Sequence, residues 1–169
     1  MQKLCGGVLL MISMSGISSA PANDAQFYRS MNEYIRTGEL KGYPKSRLLD
    51  VKKYVPLAIT SQGIVRLREL KNLEYLALGR SFDDKAIQQL QISNFRNLRE
   101  VSFAQSGITN DGLRYLRQMP ALEELVISDT SITDAGLPAL LRIKTLRSVR
   151  IGHGTPINGS WYRRTGCSA

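Results

Sequence analysis

The sequence predicts an α/β protein built from stacked repeats. Four segments begin with the same pattern, in which a leucine is followed by apolar residues three and five positions later, and they start at Leu73, Leu98, Leu122 and Leu146. The starts lie 25, 24 and 24 residues apart, a self-similarity typical of repeat architectures. A turn of small residues and a set of apolar residues at helical spacing follow the first three patterns. Each unit is therefore predicted to contain a strand, a turn, a short helix and a return segment.

The third unit, residues 122–140, shows the pattern most completely. Leu125 and Ile127 lie two positions apart, so both face the same side of a strand, as a strand with one buried face requires. An apolar anchor follows each turn, and two apolar residues follow at helical spacing. These predicted buried residues are Phe82, Ile87 and Leu90 in the first unit, Ile108, Leu113 and Leu116 in the second, and Ile132, Leu137 and Leu140 in the third.

Polar residues open each predicted helix. They are Asp83 and Asp84, residues 109–111, and Thr133 with Asp134, and their side chains are expected to cap the free N–H groups of the helix. Residues 59–70 match the second half of a unit. The strand half of that unit, residues 49–56, is degenerate, as is expected of a terminal repeat.

The segment L-x-x-L-x-L-x-x-T-x-I-T-D-x-G-L-x-x-L, present almost intact in residues 122–140, resembles the leucine-rich-repeat family. The resemblance is to the subclass common in bacterial and F-box-associated repeat proteins, which often has Cys or Asn at the turn where this chain has Ser106 and Thr130. It implies a right-handed α/β solenoid with a parallel sheet on the concave side and short helices on the convex side. It does not imply a particular ligand.

The first segment, residues 1–22, is predicted to be a cleavable export signal. Lys3 precedes an apolar run at residues 7–17, and Ala20-Pro21-Ala22 fits the small-x-small rule for cleavage before Asn23. The run is too short to span a bilayer, which takes about 20 residues. A buried N-terminal helix is the alternative interpretation. The signal predicts a periplasmic or secreted protein.

Residues 23–56 are predicted to form an N-terminal helical cap and a basic linker. An amphipathic helix is expected from Asp24, as its N-cap, to Leu40, with Gly38 as its stop. Its apolar face comprises Phe27, Met31, Tyr34 and Ile35. The helix is expected to cover the first unit, because a terminal repeat otherwise exposes a hydrophobic face. A partner-binding helix is the alternative.

The repeat domain is assigned to residues 57–154, and residues 155–169 are assigned to a C-terminal cap or tail. Trp161 in this tail is expected to pack over the last unit, with an interface role as the alternative. After signal cleavage the only cysteine is Cys167, which is expected to be a free thiol near the chain end, with an intermolecular disulfide as the alternative.

The charge balance is basic. The chain has 23 Lys and Arg against 14 Asp and Glu, a net charge of +9 that becomes +8 without residues 1–22. Such a chain should be attracted to acidic glycans, anionic lipid, nucleic acid or an acidic protein. Much of the excess is predicted on the outer helices, in Arg66, Arg68, Lys71, Arg114, Arg117, Arg142 and Lys144.

The sequence offers little that could be catalytic. Its only histidine is His153, and Asp129 occupies the equivalent position one unit earlier, so the two are expected about 4.8 Å apart. A triad would also need a positioned nucleophile and an oxyanion hole, which no motif indicates. One histidine and one remaining cysteine do not supply a zinc ligand set, and no phosphate-binding glycine loop is present, so no cofactor or metal is expected.

The outward-facing strand positions are the predicted binding surface. They form three columns across the sheet, namely Tyr75, Glu100, Glu124 and Ser148, then Ala77, Ser102, Val126 and Arg150, and at the loop edge Arg80, Gln105, Asp129 and His153. Repeat proteins of this kind usually bind partners there. A non-catalytic, exported protein-binding module is therefore the preferred function. A binder of acidic glycan, anionic membrane or nucleic acid through the basic faces is the second hypothesis, and a small hydrolase using His153 the third.

Overall fold

The computed structural model describes residues 22–56 and 59–158. The predictions for the export signal before residue 22, and for Trp161 and Cys167, lie outside these residues. Within these two ranges the α-helices are α1 (Ala22–Thr37), α2 (Ser61–Leu67) and α3 (Asp84–Leu90), and 3₁₀ helices occur at Lys45–Asp50, Ile92–Asn94, Gly112–Gln118 and Leu137–Arg142. The strands are β1 (Lys53–Tyr54), β2 (Tyr75–Ala77), β3 (Glu100–Ala104), β4 (Glu124–Ser128) and β5 (Ser148–Ile151).

The five strands form one parallel sheet in chain order, with short helices in the connections. Tyr75 pairs with Glu100, Glu100 with Glu124 and Glu124 with Ser148, so the register steps of 25, 24 and 24 residues equal the spacings of the repeat. Residues 49–56, which the sequence analysis describes as a degenerate strand half, contain a strand of two residues, Lys53–Tyr54, which pairs with β2. The architecture is α/β with a five-stranded parallel sheet, consistent with a leucine-rich-repeat-like fold.

The core lies between the sheet and the helices, and the leucine pattern fills it. Leu76, Leu125 and Ile127 are fully buried on the inner face of the sheet, as predicted. The predicted anchors and helix positions of the first three units are also buried. The two later helices are 3₁₀ rather than α helices, which the spacing of two apolar residues does not distinguish.

Helix α1 packs into the same core. Phe27, Met31, Tyr34 and Ile35 are all buried, as the amphipathic pattern predicts. The helix begins at Ala22, so the prediction of Asp24 as its N-cap is wrong, and Asp24 lies in the first turn.

Helix α1 ends before Gly38, at the predicted stop. Gly38 has φ +91°, a left-handed conformation that suits glycine, and its N–H donates to the Tyr34 carbonyl at 2.7 Å. The Arg66 guanidinium on α2 donates to the Ile35 carbonyl at 3.0 Å and the Arg36 carbonyl at 3.2 Å. These bonds tie the end of α1 to α2.

The polar residues that open the helices have two different roles. Asp83 accepts from the Ala86 N–H at 2.8 Å and caps its own helix, as predicted. Asp84 instead accepts from the N–H of Thr109 in the next unit at 2.9 Å, and Asn110 accepts in the same way from Thr133 at 3.0 Å. The cap prediction is therefore wrong for Asp84 and Asn110, which link neighbouring units. It is also wrong for the two later helices, because their N-cap residues, Asp111 and Gly136, make no side-chain cap hydrogen bond.

This row of bonds, which we call the turn ladder, has a third member. Asp134 accepts from the Asn158 N–H at 3.1 Å. Glycines make room for the first two: a Cβ at Gly112 would collide with the Asp84 carboxylate, and one at Gly136 with the Asn110 amide. The ladder therefore joins four successive turns through their side chains.

The last strand is less buried than its neighbours. Val149 and Ile151 occupy the inner register positions of Leu125 and Ile127, yet their exposed fractions are 36% and 37%. The sequence pattern predicted that both side chains are buried on the inner face of the sheet. The register confirms their position on that face, but the prediction that they are buried is wrong. Among the described residues, no helix is long and apolar enough to span a membrane.

Candidate functional site

The outer face of the sheet, opposite the helices, is the candidate site, and we call it the open face. The strand register places Tyr75, Glu100, Glu124 and Ser148 side by side in one column. The same register places Ala77, Ser102, Val126 and Arg150 in a second column. The two predicted strand columns therefore exist as continuous rows across four strands.

A three-residue ion cluster joins the two columns. The Arg150 guanidinium donates through Nη2 to Glu100 Oε1 at 2.8 Å and to Glu124 Oε2 at 3.1 Å. The Arg150 side chain is 59% exposed, so water screens the cluster and its contribution to folding is small. The single Arg150 guanidinium therefore offsets part of the negative charge of the two carboxylates.

Tyr75 lies beside Glu100 in the same column and is half-buried. Its phenol has a raised pKa, first because burial penalises the charged form and second because the Glu100 carboxylate repels it, while Arg150 acts in the opposite direction. Tyr75 therefore stays a neutral hydrogen-bond donor at physiological pH, next to an ion cluster.

The second column forms a flat floor. Ala77 and Val126 are half-buried and Ser102, which lies between them, is only 7% exposed. Ser102 was predicted to contact a partner, but its short side chain lies between neighbours on two paired strands and offers little surface. The partly buried Ala104 and Ser128 extend this floor towards the turns.

The third predicted column lies at the turns and is exposed. Arg80 Nε donates to Gln105 Oε1 at 3.3 Å, and the Asp129 N–H donates to the His153 carbonyl at 2.8 Å. Gln105 and Asp129 have left-handed φ of 56° and 49°, which directs the chain out of the strand at the same point in two units. The structure thus brings the four residues together as two bonded pairs.

His153 and Asp129 are neighbours only through their backbones. Neither a hydrogen bond nor an ion pair joins the imidazole to the carboxylate in the described structure, although both residues belong to it. The Asp129 carboxylate instead lies against Gly154, where a Cβ would collide with it. No cluster of three or more His, Cys, Asp or Glu suited to a metal ion occurs within residues 22–56 and 59–158.

Besides Ala104 and Ser128, the sequence analysis did not predict Lys53 as part of the open face. Lys53 in β1 pairs in register with Tyr75, so it extends the first column by one strand, and its side chain is exposed. The two-residue strand lacks the leucine pattern that located the others. The alternation of exposed Lys53 and buried Tyr54 was the available signal.

Comparisons with known proteins identify the fold class but no family. No family model matches the chain, and no curated protein matches it. Among solved structures, 22 chains match. One is similar over 79% of this chain and 81% of its own, with a TM-score of 0.50 and 16% sequence identity, and it is the actin-binding site 2 of leiomodin-1. At this identity the likeness concerns the fold alone.

Proposed function

We propose that the chain is a non-catalytic protein-binding module, a right-handed leucine-rich-repeat solenoid that holds its partner on the open face. In this proposal the open face is the concave side, the helices form the convex side, and α1 caps the first unit. The observation that carries the proposal is the open face itself, where outward side chains of neighbouring strands are held in register. The solved neighbour, named for an actin-binding site, supports a protein partner in general.

The chemistry of the open face supports a partner with mixed polarity. A flat floor around Val126 can bury an apolar side chain, while Tyr75 and the Arg150 cluster offer a donor and exchangeable charges. A partner carboxylate could take Arg150 from Glu100 and Glu124, and a partner cation could take the two glutamates. Binding would then replace one set of ion pairs by another.

The test places a photo-crosslinking amino acid at Val126 on the open face or at Val65 on α2, which is 48% exposed. The probe would be used with the source organism's envelope and medium proteins. A discrete adduct at position 126 and none at 65 is expected. With the probe at position 126, Ala77→Arg in the same column should abolish capture, while Val65→Arg should not. Adducts of equal intensity at both positions, or at neither, would contradict the proposal.

We also propose that residues 1–22 direct export. The protein recovered from the envelope or medium should then begin at Asn23 when its N-terminus is sequenced. A protein that retains residue 1 inside the cell would contradict export without affecting the binding site.

A hydrolytic activity that disappears with His153→Ala would contradict the proposal that the protein is non-catalytic.

A further inference from the structure

The segments that lead into the strands form a second distinctive surface. Because all five strands are parallel and pair in chain order, these segments lie together at the edge where the strands begin. The strand register aligns one residue from each strand, namely Lys53, Tyr75, Glu100, Glu124 and Ser148. The residues four positions before them are all exposed, and they are Leu49, Lys71, Arg96, Pro120 and Lys144. At about 4.8 Å per strand this row, the return edge, is about 19 Å long.

The basic side chains of the return edge are unpaired within the part of the chain that the structure describes. Lys71, Arg96 and Lys144, together with Arg117 and Arg142 beside them, make no side-chain hydrogen bond or ion pair to the described residues. The other predicted outer cations are engaged: Arg66 bonds the end of α1, Arg68 donates to the Gln89 carbonyl, and Arg114 pairs with Asp111 at 3.2 Å.

The opposite edge, which carries the turns, has the reverse charge. Four return segments, residues 68–74, 91–99, 117–123 and 141–147, contain eight Lys and Arg against three Glu. The four turn segments, residues 79–86, 105–111, 129–135 and 152–158, contain two Lys and Arg against five Asp. Asp83, Asp84 and Asp111 there already accept local hydrogen bonds or pair with arginine. Of these two edges, the return segments therefore carry the net positive charge and the turn segments the net negative charge.

Two exposed leucines flank these cations. Leu49 is 46% exposed at the β1 end of the row, and Leu141, seven positions ahead of Ser148, is 57% exposed beside Arg142. The four return segments contain one aromatic residue, Phe95, and it is buried. Sites for single-stranded nucleic acid rely on exposed aromatic side chains for stacking, whereas peripheral membrane surfaces combine Lys and Arg with exposed aliphatic side chains.

We propose that the return edge docks on a bilayer surface that contains anionic lipid. Lys71, Arg96 and Lys144 contact the lipid phosphates, and Leu49 and Leu141 enter the interfacial layer at the two ends. The open face lies on a different side of the sheet from this edge and stays accessible to a protein partner. The inference thus goes beyond the protein-binding function and does not depend on it.

The test measures binding to vesicles of phosphatidylcholine with one third phosphatidylglycerol, by co-sedimentation. The key variant is R96Q/K144Q, and the matched control is R29Q/K85Q, which removes one Arg and one Lys from exposed positions on α1 and α3. The full chain and the chain from Asn23 are both used, because residues 7–17 could themselves bind lipid. Circular dichroism confirms that each variant is folded.

R96Q/K144Q is expected to weaken binding about 25-fold, since each basic side chain near an anionic leaflet contributes about fivefold. The control should change binding less than about twofold, because charges beyond the Debye length are screened. Leu141→Ser should remove the binding that survives at high salt. Vesicles of pure phosphatidylcholine should not bind the chain from Asn23.

Three results would overturn the proposal. Equal losses of vesicle binding in R96Q/K144Q and R29Q/K85Q would mean that binding depends on net charge alone. Unchanged binding of R96Q/K144Q would mean that the return edge is not used. Tighter binding to duplex DNA or heparin than to the vesicles, insensitive to Leu141→Ser, would assign the edge to a polyanion instead of a bilayer.

Discussion

The two ends of the sheet differ in the burial of their inward-facing residues. At the first end, Val51, which precedes β1, is 0% exposed and Tyr54 of β1 is 5% exposed, in one core with Met31 of α1. At the last strand, Val149 is 36% exposed and Ile151 is 37% exposed. The core that includes α1 therefore covers the first end, while the inward side chains of the last strand keep about a third of their surface exposed.

The largest expected effect comes from the same substitution at both ends. Val51→Ala should lower the free energy of unfolding by about 2–3 kcal/mol, because it removes two buried methyl groups and leaves a cavity. Val149→Ala should cost less than about 1 kcal/mol because its side chain already contacts water. Urea denaturation measures both, with Val101→Ala in the buried middle of the sheet as reference. Equal costs at both ends would show that the last strand is covered in solution.

Alkaline pH should lower the stability of the fold by ionising Tyr54 in the first strand. Burial raises the pKa of Tyr54 to about 12, above the value of about 10 in an unfolded chain. The neutral phenol therefore contributes about 2 kcal/mol that is present below pH 10 and is lost as the pH rises towards 12. Urea midpoints across this range should fall less steeply in Tyr54→Phe than in the wild type. The exposed Tyr28→Phe serves as control, and an equal change in slope would contradict the assignment.

The turn ladder connects the middle units to the last one, and a double-mutant cycle can measure one bond of it. Asp84→Ala removes both hydrogen bonds to Thr109, and Gly112→Ala pushes a methyl group into the Asp84 carboxylate. Each should cost about 1–2 kcal/mol. The double variant should cost less than the sum by about 1 kcal/mol, since the clash disappears with the carboxylate. If the two free-energy costs simply add, the Asp84 carboxylate moves away from the new methyl group without losing stability.

The smallest effect is expected at the ion cluster that ties the last strand to the others. Arg150→Ala should lower stability by less than about 1 kcal/mol, because its pairs with Glu100 and Glu124 are exposed to water. It should also raise the pKa of Tyr75 further, because Arg150 is the group that lowers it. Spectrophotometric titration of the tyrosines checks the second effect. A lowered pKa would mean that Glu100 turns away once its partner is lost.

Much of the sheet could be predicted from the leucine pattern, because inward residues such as Leu76 and Leu125 recur at the step of the strand register. The bonds of Asp84 and Asn110 could not, because a side chain at a helix start has its own helix and the next unit within reach. The exposure of Val149 depends on what stacks on it, which its own segment does not encode.

The sequence could predict which residues of the open face share a column, but not which side chains contact one another. Alternation placed Tyr75, Glu100 and Glu124 correctly, since successive strand residues point to opposite faces. The reach of Arg150 across two strands depends on the length and rotamer of one side chain. The low exposure of Ser102 depends on neighbours 24 and 25 residues away.

The Arg150 cluster links strands that are not direct neighbours in the sheet, because Arg150 of β5 reaches Glu100 of β3. Asp84 to Thr109 and Asn110 to Thr133, like the strand pairs, join positions one unit apart. Arg150 to Glu100 spans 50 residues, the longest sequence separation among the side-chain hydrogen bonds of the described residues. A ligand group that captured Arg150 would therefore free carboxylates on two other strands at once. An event on the outermost strand would change the charge pattern at the centre of the sheet without any movement of the backbone.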